Sequence, residues 1–304
     1  MDIGLVGLGR MGGGLAQHWL RAGHRVVGYD LSSATVDVLA AEGLEAAVDL
    51  PDLLARLGSG PRLVWMMLPA GEPTRAVSQA LEGALAPGDI LIDGGNTNFH
   101  ETVDRAARCA ERGLRFLDVG TSSGLLGKDL GYCLMVGGDR MLAEELMPVL
   151  QQAAPDGGCK YVGGSGAGHY VKMVHNGIEY GLLEAYAEGF EILRASDYDL
   201  DLAQIAELWR HNSLVTSRLL DLLSAKLSAD PHLSKFGDYV EDLGTGRWTV
   251  LEAIARDVPA PAITAALLTR IRSRQETSFG GQVLSALREE FGGHVVNRPG
   301  GPLN

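Results

Sequence analysis

Short apolar runs alternate with amphipathic stretches along the first half of the chain. The runs that predict buried strands cover residues 3–6, 26–29, 63–68, 90–92 and 115–119, with helical periodicity between most of them. Near-continuous apolarity, as in LVWMML, is typical of strands that are covered on both faces. The alternation therefore predicts right-handed βαβ units that build a largely parallel sheet.

The pattern changes in the second half, after a strand candidate at 132–138, a helix from about residue 139 and a short strand near Lys160. Beyond the segment GGSGAGH at 163–169, apolar residues recur with helical spacing from about 166 to 195 and on to about 287. The tail from Phe291 is rich in Gly and Pro, which predicts irregular structure. We expect an α/β domain at 1–164 and an all-α domain at 165–304 that begins with a long helix.

Composition narrows the classes of function. The 304 residues are 46% hydrophobic, enough for full cores, and carry a formal net charge of −12. Because nucleic-acid binding needs clustered Lys and Arg, the charge argues against it, and any anionic ligand must meet a local basic site. No apolar run approaches the roughly 20 residues of a membrane span, and the N-terminus lacks a signal-peptide pattern. Three cysteines without metal-ligand spacing, Cys109, Cys133 and Cys159, favour a reduced, cytoplasmic protein.

A glycine motif stands where the first predicted strand passes into a helix: Gly7-Leu8-Gly9-Arg10-Met11-Gly12. In a dinucleotide-binding loop the first glycine permits a tight turn, the second lets the backbone approach the pyrophosphate, and the third allows close helix packing. The helix N-terminus also favours the phosphate charge. The sequence thus predicts a Rossmann-type N-terminal domain in which this loop, including Arg10 and Met11, contacts the cofactor.

Asp30 follows at the end of the second predicted strand, about twenty residues after the glycines, where such a domain binds the ribose. Its carboxylate can accept hydrogen bonds from both ribose hydroxyls and would repel a 2′-phosphate. The next residues, Leu31 and Ser32, provide no arginine to neutralise that phosphate. NAD is therefore favoured over NADP. The alternative is that Asp30 only caps the following helix, a role that Ser32 could also fill.

The long predicted helix carries a polar face. Lys172, His175, Asn176 and Glu179 stand at i, i+3, i+4 and i+7, so they share one side of the helix. A solvated Lys–Glu pair is the ordinary interpretation of such a stripe. A histidine, an asparagine and Gly177 accompany the pair in a chain with a cofactor site, which favours a catalytic face instead.

These motifs resemble the β-hydroxyacid dehydrogenase superfamily and, within it, the short 6-phosphogluconate dehydrogenases. The similarity extends over nearly the whole chain. It rests on GLGRMG at 7–12, DGGNT at 93–97, DVGTSSG at 118–124, KMVHNGIEYG at 172–181, GTGRWT at 244–249 and REEFGGH at 288–294.

The resemblance implies an oxidative decarboxylation of 6-phosphogluconate to ribulose 5-phosphate. Lys172 matches the base that takes the hydroxyl proton at carbon 3, and the resulting ammonium would polarise the ketone while carbon dioxide leaves. Glu179 matches the acid that protonates carbon 1 of the product. No metal is required, because the ammonium is the electrophile.

The resemblance also implies the contacts that hold the substrate. Asn96 is expected near both nicotinamide and substrate, while His175, Asn176, Ser122 and Gly124 match positioning residues. The long-chain pattern has two glycines after the serine, whereas this chain has Ser123 and Gly124. The residues that match the phosphate and tail contacts are Tyr180, Arg247, Thr249, Arg270, Arg288 and His294. Arginine at 247 replaces the commoner lysine and suits bidentate phosphate binding.

In this family Arg288 and His294 match residues that a second subunit contributes, which implies a homo-oligomer with shared active sites. Two other interpretations stay open. One is another member of the superfamily, of the 3-hydroxyisobutyrate or tartronate semialdehyde type, which would share the glycines and Lys172 but has no use for Glu179 or a phosphate cluster. The other is a sensor that binds NAD without turnover, which has no need of both proton-transfer groups.

Overall fold

The computed structural model describes residues 1–292 of the chain. Its strands form one eight-stranded sheet in the order β3-β2-β1-β4-β5-β6-β7-β8. The strands are β1 (Asp2–Val6), β2 (Arg25–Tyr29), β3 (Glu45–Ala46), β4 (Leu63–Met66), β5 (Ile90–Asp93), β6 (Arg115–Ser122), β7 (Cys133–Gly138) and β8 (Cys159–Gly163).

Helices connect the strands and then continue alone. The helices are α1 (Arg10–Arg21), α2 (Ser33–Ala40), α3 (Leu50–Arg56), α4 (Glu72–Ala84), α5 (Phe99–Glu111), α6 (Gly127–Leu130), α7 (Arg140–Gln151), α8 (Ala167–Arg194), α9 (Leu202–Trp209), α10 (Arg218–Ala229), α11 (Thr245–Ala255), α12 (Pro261–Ser273) and α13 (Phe279–Gly292). An α/β Rossmann-type region followed by a helical region is therefore confirmed.

Local sequence explains where many helices begin. Proline occupies the first turn of α3, α4 and α12, where its missing N–H costs no hydrogen bond. Side-chain oxygens of Asp49, Asn98, Asp139, Asp201 and Ser217 accept a backbone N–H in the first turn of α3, α5, α7, α9 and α10.

All strand pairs are parallel except β6 with β7. The order places β1 between β2 and β4, so β2 and β3 extend the sheet to one side of β1 and the strands from β4 onward extend it to the other. In an open α/β sheet a ligand binds outside the carboxyl ends of the strands at such a switch point. The glycine loop follows β1 directly.

Both faces of the sheet are buried, as the continuous apolar strands predict. Leu5, Trp65 and Ile92 face one hydrophobic cluster, which α1 and α7 complete with Trp19 and Leu146. Their strand neighbours, including Val64 and Leu91, face a second cluster formed with α3, α4 and α5. This period-two division is the pattern of a sheet covered on both sides.

The chain divides into two compact units, Met1–Asn176 and Gly177–Asn304. The division lies within α8, twelve residues beyond the expected boundary at 164, which stays a prediction. In the second unit small clusters form around Phe190 and Leu220 and around Tyr180 and Leu267. Among residues 1–292, no helix combines the length and apolarity that crossing a bilayer requires.

Candidate active site

The glycine loop has the backbone geometry that the motif predicts. Gly7 adopts φ +92°, and a Cβ there would lie 2.4 Å from the carbonyl oxygen of Met67. A Cβ on Gly12 would lie 2.0 Å from the carbonyl oxygen of Gly7. The packing of the chain itself therefore requires both residues to be glycine.

Gly9 differs, because a Cβ there would meet no protein atom within 4 Å. It is exposed and caps the N-terminus of α1, so the absence of a side chain leaves an open approach to the first-turn N–H groups. This cradle fits a pyrophosphate. Arg10 is exposed beside it, and the half-buried Met11 accepts a hydrogen bond from Tyr132 Oη at its carbonyl (3.3 Å).

Asp30 is tied to the same loop. Its Oδ2 accepts the N–H of Leu8 at 2.7 Å, and its Oδ1 accepts the N–H of Ser32 at 2.8 Å. The cap of α2 is Ser32, whose hydroxyl accepts from Thr35 N, so the capping role proposed as the alternative for Asp30 belongs to Ser32. Each Asp30 oxygen has a second lone pair, which suits it to the two ribose hydroxyls.

The loop after β5 carries Asn96, which is half-buried. Asp93, 1% exposed, forms a buried ion pair with Arg105 of α5 and accepts hydrogen bonds from Gly95 N and Thr97 Oγ1. Losing one partner of a buried pair costs about 3–5 kcal/mol. The loop is therefore fixed on both sides of Asn96.

The first turn of α8 is fixed on β6 by Asp118, which is fully buried. The two carboxylate oxygens accept the N–H groups of Gly166 (2.8 Å) and His169 (2.9 Å), so Asp118 acts as a distant N-terminal cap. Gly120 allows the close approach, since a Cβ there would lie 2.5 Å from Lys172 Cβ. Asp118 and Gly120 thus set the position of Lys172 over the sheet.

A second contact ties α8 to α5. The ring of His169 is 2% exposed, and its Nδ1 lies 2.7 Å from Thr102 Oγ1. Thr102 donates its hydroxyl to the carbonyl of Asn98 (3.2 Å), so His169 Nδ1 carries the proton of the shorter bond. Thr102 therefore joins the end of the Asn96 loop to the turn that precedes Lys172.

Two predicted catalytic side chains donate to the amide oxygen of a third. Lys172 Nζ donates to Asn176 Oδ1 at 2.6 Å, and His175 Nδ1 donates to the same oxygen at 3.1 Å. All three residues are half-buried. A neutral lysine can donate this bond and keep its lone pair for a substrate proton, as a general base must.

The TSSG loop at the end of β6 contains a strained residue. Ser122 is half-buried, whereas Ser123 and Gly124 are exposed. Ser123 adopts φ +109° and Gly124 φ +53°. Positive φ favours glycine, which is the residue that the long-chain pattern has at this position. Ser123 therefore carries a side chain where the backbone favours none.

In the second unit, α11 packs closely on α8 through two glycines. A Cβ on Gly177 would lie 2.6 Å from Thr249 Cγ2, and one on Gly246 would lie 2.3 Å from the Tyr180 ring. Tyr180 is 6% exposed, and Thr249, also 6% exposed, donates its hydroxyl to the carbonyl of Thr245 (2.9 Å). Glu179 is half-buried in α8.

The predicted phosphate residues form a basic cluster in this unit. The Arg270 guanidinium stacks 3.5 Å above the centre of the Tyr180 ring and donates to the carbonyl of Glu241 (3.3 Å). Arg247 Nη2 donates to Asp242 Oδ2 at 3.0 Å. Burial alone would raise the pKa of Asp242, but hydrogen bonds from Gly244 N and Arg247 outweigh it and hold the pKa below its ordinary value.

Sequence reasoning missed several of these residues. Asp118, Thr102 and His169 position the first turn of α8, and Asp242 with Arg274 belongs to the basic cluster. One signal was available, because Asp118 interrupts an otherwise apolar strand. Of the predicted tail residues, Arg288 is exposed in α13, and His294 lies outside the described residues.

Comparison with known families covers both units. Residues 2–164 match the NAD binding domain of 6-phosphogluconate dehydrogenase, and residues 168–278 match the C-terminal domain of the same enzyme. Among curated relatives, the NAD(+)-dependent, decarboxylating 6-phosphogluconate dehydrogenase of Haloferax volcanii is 43% identical over 301 residues, which cover 98% of this chain and 99% of the relative.

Solved structures agree on the fold. The chain superimposes on 6-phosphogluconate dehydrogenase of Plasmodium falciparum, described with NADP+ and with 6-phosphogluconate, with a TM-score of 0.82 and 27% identity over 99% of this chain and 67% of that one. A 3-hydroxyisobutyrate dehydrogenase of Salmonella typhimurium gives a TM-score of 0.72 at 23% identity, over 88% of this chain and 92% of its own. The latter similarity shows a common fold alone.

Proposed function

Because the chain belongs to the 6-phosphogluconate dehydrogenase family, we propose that it oxidises and decarboxylates 6-phosphogluconate to ribulose 5-phosphate and carbon dioxide, with NAD as hydride acceptor. The observation that carries this proposal is Lys172, a helical lysine held by Asn176 in the unit that also contains the dinucleotide loop. A base and a hydride-acceptor site are the two requirements of the oxidation step.

The cofactor is NAD. The chain's residues support this, since Asp30 presents its carboxylate beside the glycine loop and would repel a 2′-phosphate. We expect kcat/KM with NAD to exceed that with NADP at least tenfold, the ratio that about 1.4 kcal/mol of discrimination gives. Steady-state kinetics with both cofactors measure it, and a preference for NADP would contradict the role of Asp30.

In the oxidation step we assign Lys172 as the base. Bound NAD supplies the hydride acceptor. The neutral amine of Lys172 takes the proton of the carbon 3 hydroxyl while the hydride leaves carbon 3, which gives a ketone and a Lys172 ammonium. Asn176 holds the amine through Oδ1 in both protonation states, and His175 fixes the orientation of that amide.

In the decarboxylation step the Lys172 ammonium returns its proton to the ketone oxygen. The electron pair of the bond between carbons 1 and 2 then forms the enediol, and carbon 1 leaves as carbon dioxide. Glu179 protonates the former carbon 2, and the hydroxyl at carbon 3 gives its proton to the neutral Lys172 amine, which forms the ketone of ribulose 5-phosphate. The pair of proton-transfer groups explains why both a lysine and a glutamate lie on α8.

The remaining predicted residues are assigned to binding. We assign Asn96 to contacts with the nicotinamide and the substrate, and Ser122 and Gly124 to contacts with the substrate. The phosphate is assigned to Tyr180, Arg247, Thr249 and Arg270. Bidentate arginine contacts with phosphate give affinity and orientation together. The stacked arrangement of Arg270 on Tyr180 supports this assignment, since it holds one guanidinium in place before substrate binds.

A substrate comparison tests the reaction. We expect 6-phosphogluconate with NAD to yield equal amounts of NADH and carbon dioxide, and gluconate and 3-hydroxyisobutyrate to be far poorer substrates. Activity on an unphosphorylated acid alone would favour another dehydrogenase of the superfamily. NAD binding without turnover of any of the three would favour a sensor.

Glu179 can be tested separately from the oxidation. The variant Glu179→Gln keeps the shape and loses the acidic proton. We therefore expect two steps to slow by about 10²–10⁴-fold: decarboxylation of the ketone, and exchange of tritium from water into carbon 1 of ribulose 5-phosphate. NAD affinity is expected to stay near the wild-type value. Unchanged turnover in Glu179→Gln would remove this residue from the mechanism.

We propose that the protein is a homo-oligomer in which the tail, with Arg288 and His294, completes the site of a second subunit. The support is the apolar stripe of α13, whose residues Phe279, Val283, Leu284 and Leu287 are all exposed in the single chain. Exposed apolar stripes of this kind mark protein–protein contacts.

We also propose a cytoplasmic location. The free cysteines and the phosphorylated, water-soluble reactants support it.

Mixing inactive subunits tests the shared site. Lys172→Met and Arg288→Gln each damage every site of a homodimer, but a mixed dimer contains one site with both native residues. Random pairing after unfolding and refolding of an equal mixture makes about half of the dimers mixed. Since each mixed dimer has one native site of two, we expect about one quarter of the activity of the same amount of wild-type protein. Light scattering reports the assembly itself. No recovery in a confirmed mixed dimer would assign Arg288 to its own subunit.

A further inference from the structure

The segment before α11 is fixed along α12 by three successive contacts. Val240 N donates to Ser273 Oγ (3.1 Å), the carbonyl of Glu241 accepts from Arg270, and the Asp242 carboxylate lies 3.8 Å from Arg274 Nη2. Arg270 lies in the last turn of α12 and Arg274 is the C-cap residue four positions later, so the two share one side of this helix end. The segment therefore brings Asp242 to the same side of the helix as two guanidinium groups.

Asp242 holds two arginines on one oxygen. Its Oδ2 accepts from Arg247 Nη2 at 3.0 Å and lies 3.8 Å from Arg274 Nη2, while the carboxylate is only 3% exposed. At 3.8 Å the second contact is an ion pair rather than a hydrogen bond. Arg247 thus donates a hydrogen bond to the carboxylate, whereas Arg274 interacts with it through charge alone.

Arg274 has donor capacity that its neighbours leave unused. Its Nε is buried and has no hydrogen-bond partner within residues 1–292, although a guanidinium has five N–H donors in a planar fork. Its side chain is still 28% exposed, so part of the fork can be reached from solvent. A buried donor without a partner is costly, and a ligand oxygen would remove that cost.

We propose that Arg274 is a third phosphate-binding arginine of this site, held in place by Asp242 beside Arg247 until the substrate arrives. The proposal rests on the phosphorylated substrate proposed above. Among these four side chains, the three guanidinium groups of Arg247, Arg270 and Arg274 and the one carboxylate leave a net charge of +2. A phosphate monoester carries about −1.5 to −2 at pH 7, so the charges match. Asp242 pre-organises the arginines, which lowers the ordering cost of binding.

The test compares Arg274→Gln with Arg272→Gln, which removes the same charge from an exposed position two residues earlier, in the last turn of α12. We expect Arg274→Gln to raise KM for 6-phosphogluconate and weaken binding of inorganic phosphate roughly tenfold, with kcat little changed, because one charge-assisted hydrogen bond is lost. Arg272→Gln is expected to match the wild type. Phosphate binding is followed by thermal-shift titration, which needs no turnover.

Two further results keep the test decisive. Arg274→Lys retains the charge and loses the planar fork, so its phosphate affinity should lie between those of the wild type and Arg274→Gln. Wild-type phosphate affinity in both variants would overturn the assignment and leave Arg274 a structural partner of Asp242. If the native enzyme does not turn over 6-phosphogluconate, the proposed function fails, while weaker phosphate binding by Arg274→Gln would still support the anion site.

Discussion

Lys172 is the residue that we propose as both base and acid in one catalytic cycle, so its substitution tests the mechanism directly. The variant Lys172→Met keeps the length and apolar stem and removes the amine. Since general acid–base catalysis contributes about 10²–10⁴-fold, we expect kcat to fall by that factor. NAD affinity should stay unchanged, because the proposed dinucleotide site is built on the glycine loop after β1 and on Asp30, whose carboxylate is held by the N–H groups of Leu8 and Ser32.

Steady-state kinetics and a fluorescence titration with NAD measure the two quantities. The matched control is Lys160→Met, which removes an exposed lysine from β8 in the same unit. It should behave as the wild type in both measurements. Normal turnover by Lys172→Met would refute the assigned base, and a parallel loss of NAD binding would point to a misfolded unit.

Ser123 offers a test of backbone strain at a single residue. Its φ of +109° is costly for a side chain with a Cβ, so Ser123→Gly should raise the free energy of unfolding by about 1 kcal/mol. Ser123→Ala removes the hydroxyl and keeps the strain, so it should not be stabilised. Urea unfolding compares the two variants, and equal stability of both would show that the strain is not what the glycine relieves.

Residues that act locally could be predicted from sequence, and residues that act across the fold could not. Gly7, Gly12 and Asp30 stand at fixed spacings set by one turn, and the structure gives them the expected geometry. Arg274 and Asp242 are 32 positions apart, and their contact depends on how the segment before α11 packs on α12. A spacing rule cannot predict such a pair.

At the level of elements, the seating of α8 on β6 makes a sharp prediction. A Cβ on Gly120 would lie 2.5 Å from both Lys172 Cβ and the carbonyl oxygen of Gly168, so Gly120→Ala must shift the first turns of α8. Overpacking of this kind costs about 1–3 kcal/mol. We expect the melting temperature and kcat both to fall, since a small displacement of the proposed base Lys172 would disrupt its alignment with substrate.

The control substitutes the same methyl group where space is open. Gly83 is an exposed residue of α4, and a Cβ there would meet nothing within 4 Å. Gly83→Ala should stabilise the protein by about 0.5–1 kcal/mol, because alanine is the better helix former, and leave kcat unchanged. Wild-type kcat in Gly120→Ala would show that α8 can move without affecting catalysis.

Periodicity predicted most elements because each buries its own pattern of side chains. The strands beginning at residues 2, 25, 63, 90 and 115 all correspond to predicted apolar runs, and α8 spans Ala167–Arg194 as expected. The two-residue strand β3 is too short to show alternation. The antiparallel direction of β7 was not predicted, since it depends on the tight path from β6 through residues 123–132 rather than on side-chain spacing.

At the scale of the whole molecule, acidic residues outnumber basic ones and give a net charge of −12. The buried carboxylates of Glu82, Asp89 and Asp242 are each held by hydrogen bonds from specific partners. Burial alone would raise the pKa of Glu82, but hydrogen bonds from Arg108 and Ser78 hold it below the ordinary value of 4.5. Burial would likewise raise the pKa of Asp89, yet hydrogen bonds from Arg62 and Ala86 keep it below 3.8. Asp242 follows the same rule in the second unit. Acid should therefore weaken both units.

The sign follows from linkage. Each folded pKa lies below its unfolded value, so the stabilisation is complete above about pH 4.5 and is lost as the pH falls through the lower folded values. We expect the urea midpoint to be flat from about pH 7 to about pH 5 and then to drop steeply toward about pH 3. Asp89→Asn should lower stability by about 1–3 kcal/mol at pH 7 and make the acid drop shallower, because it removes one such carboxylate from a buried pair. Glu111→Gln, which removes an exposed carboxylate at the end of α5, should follow the wild-type curve. An acid drop of equal steepness in all three proteins would mean that these buried carboxylates do not set the acid limit.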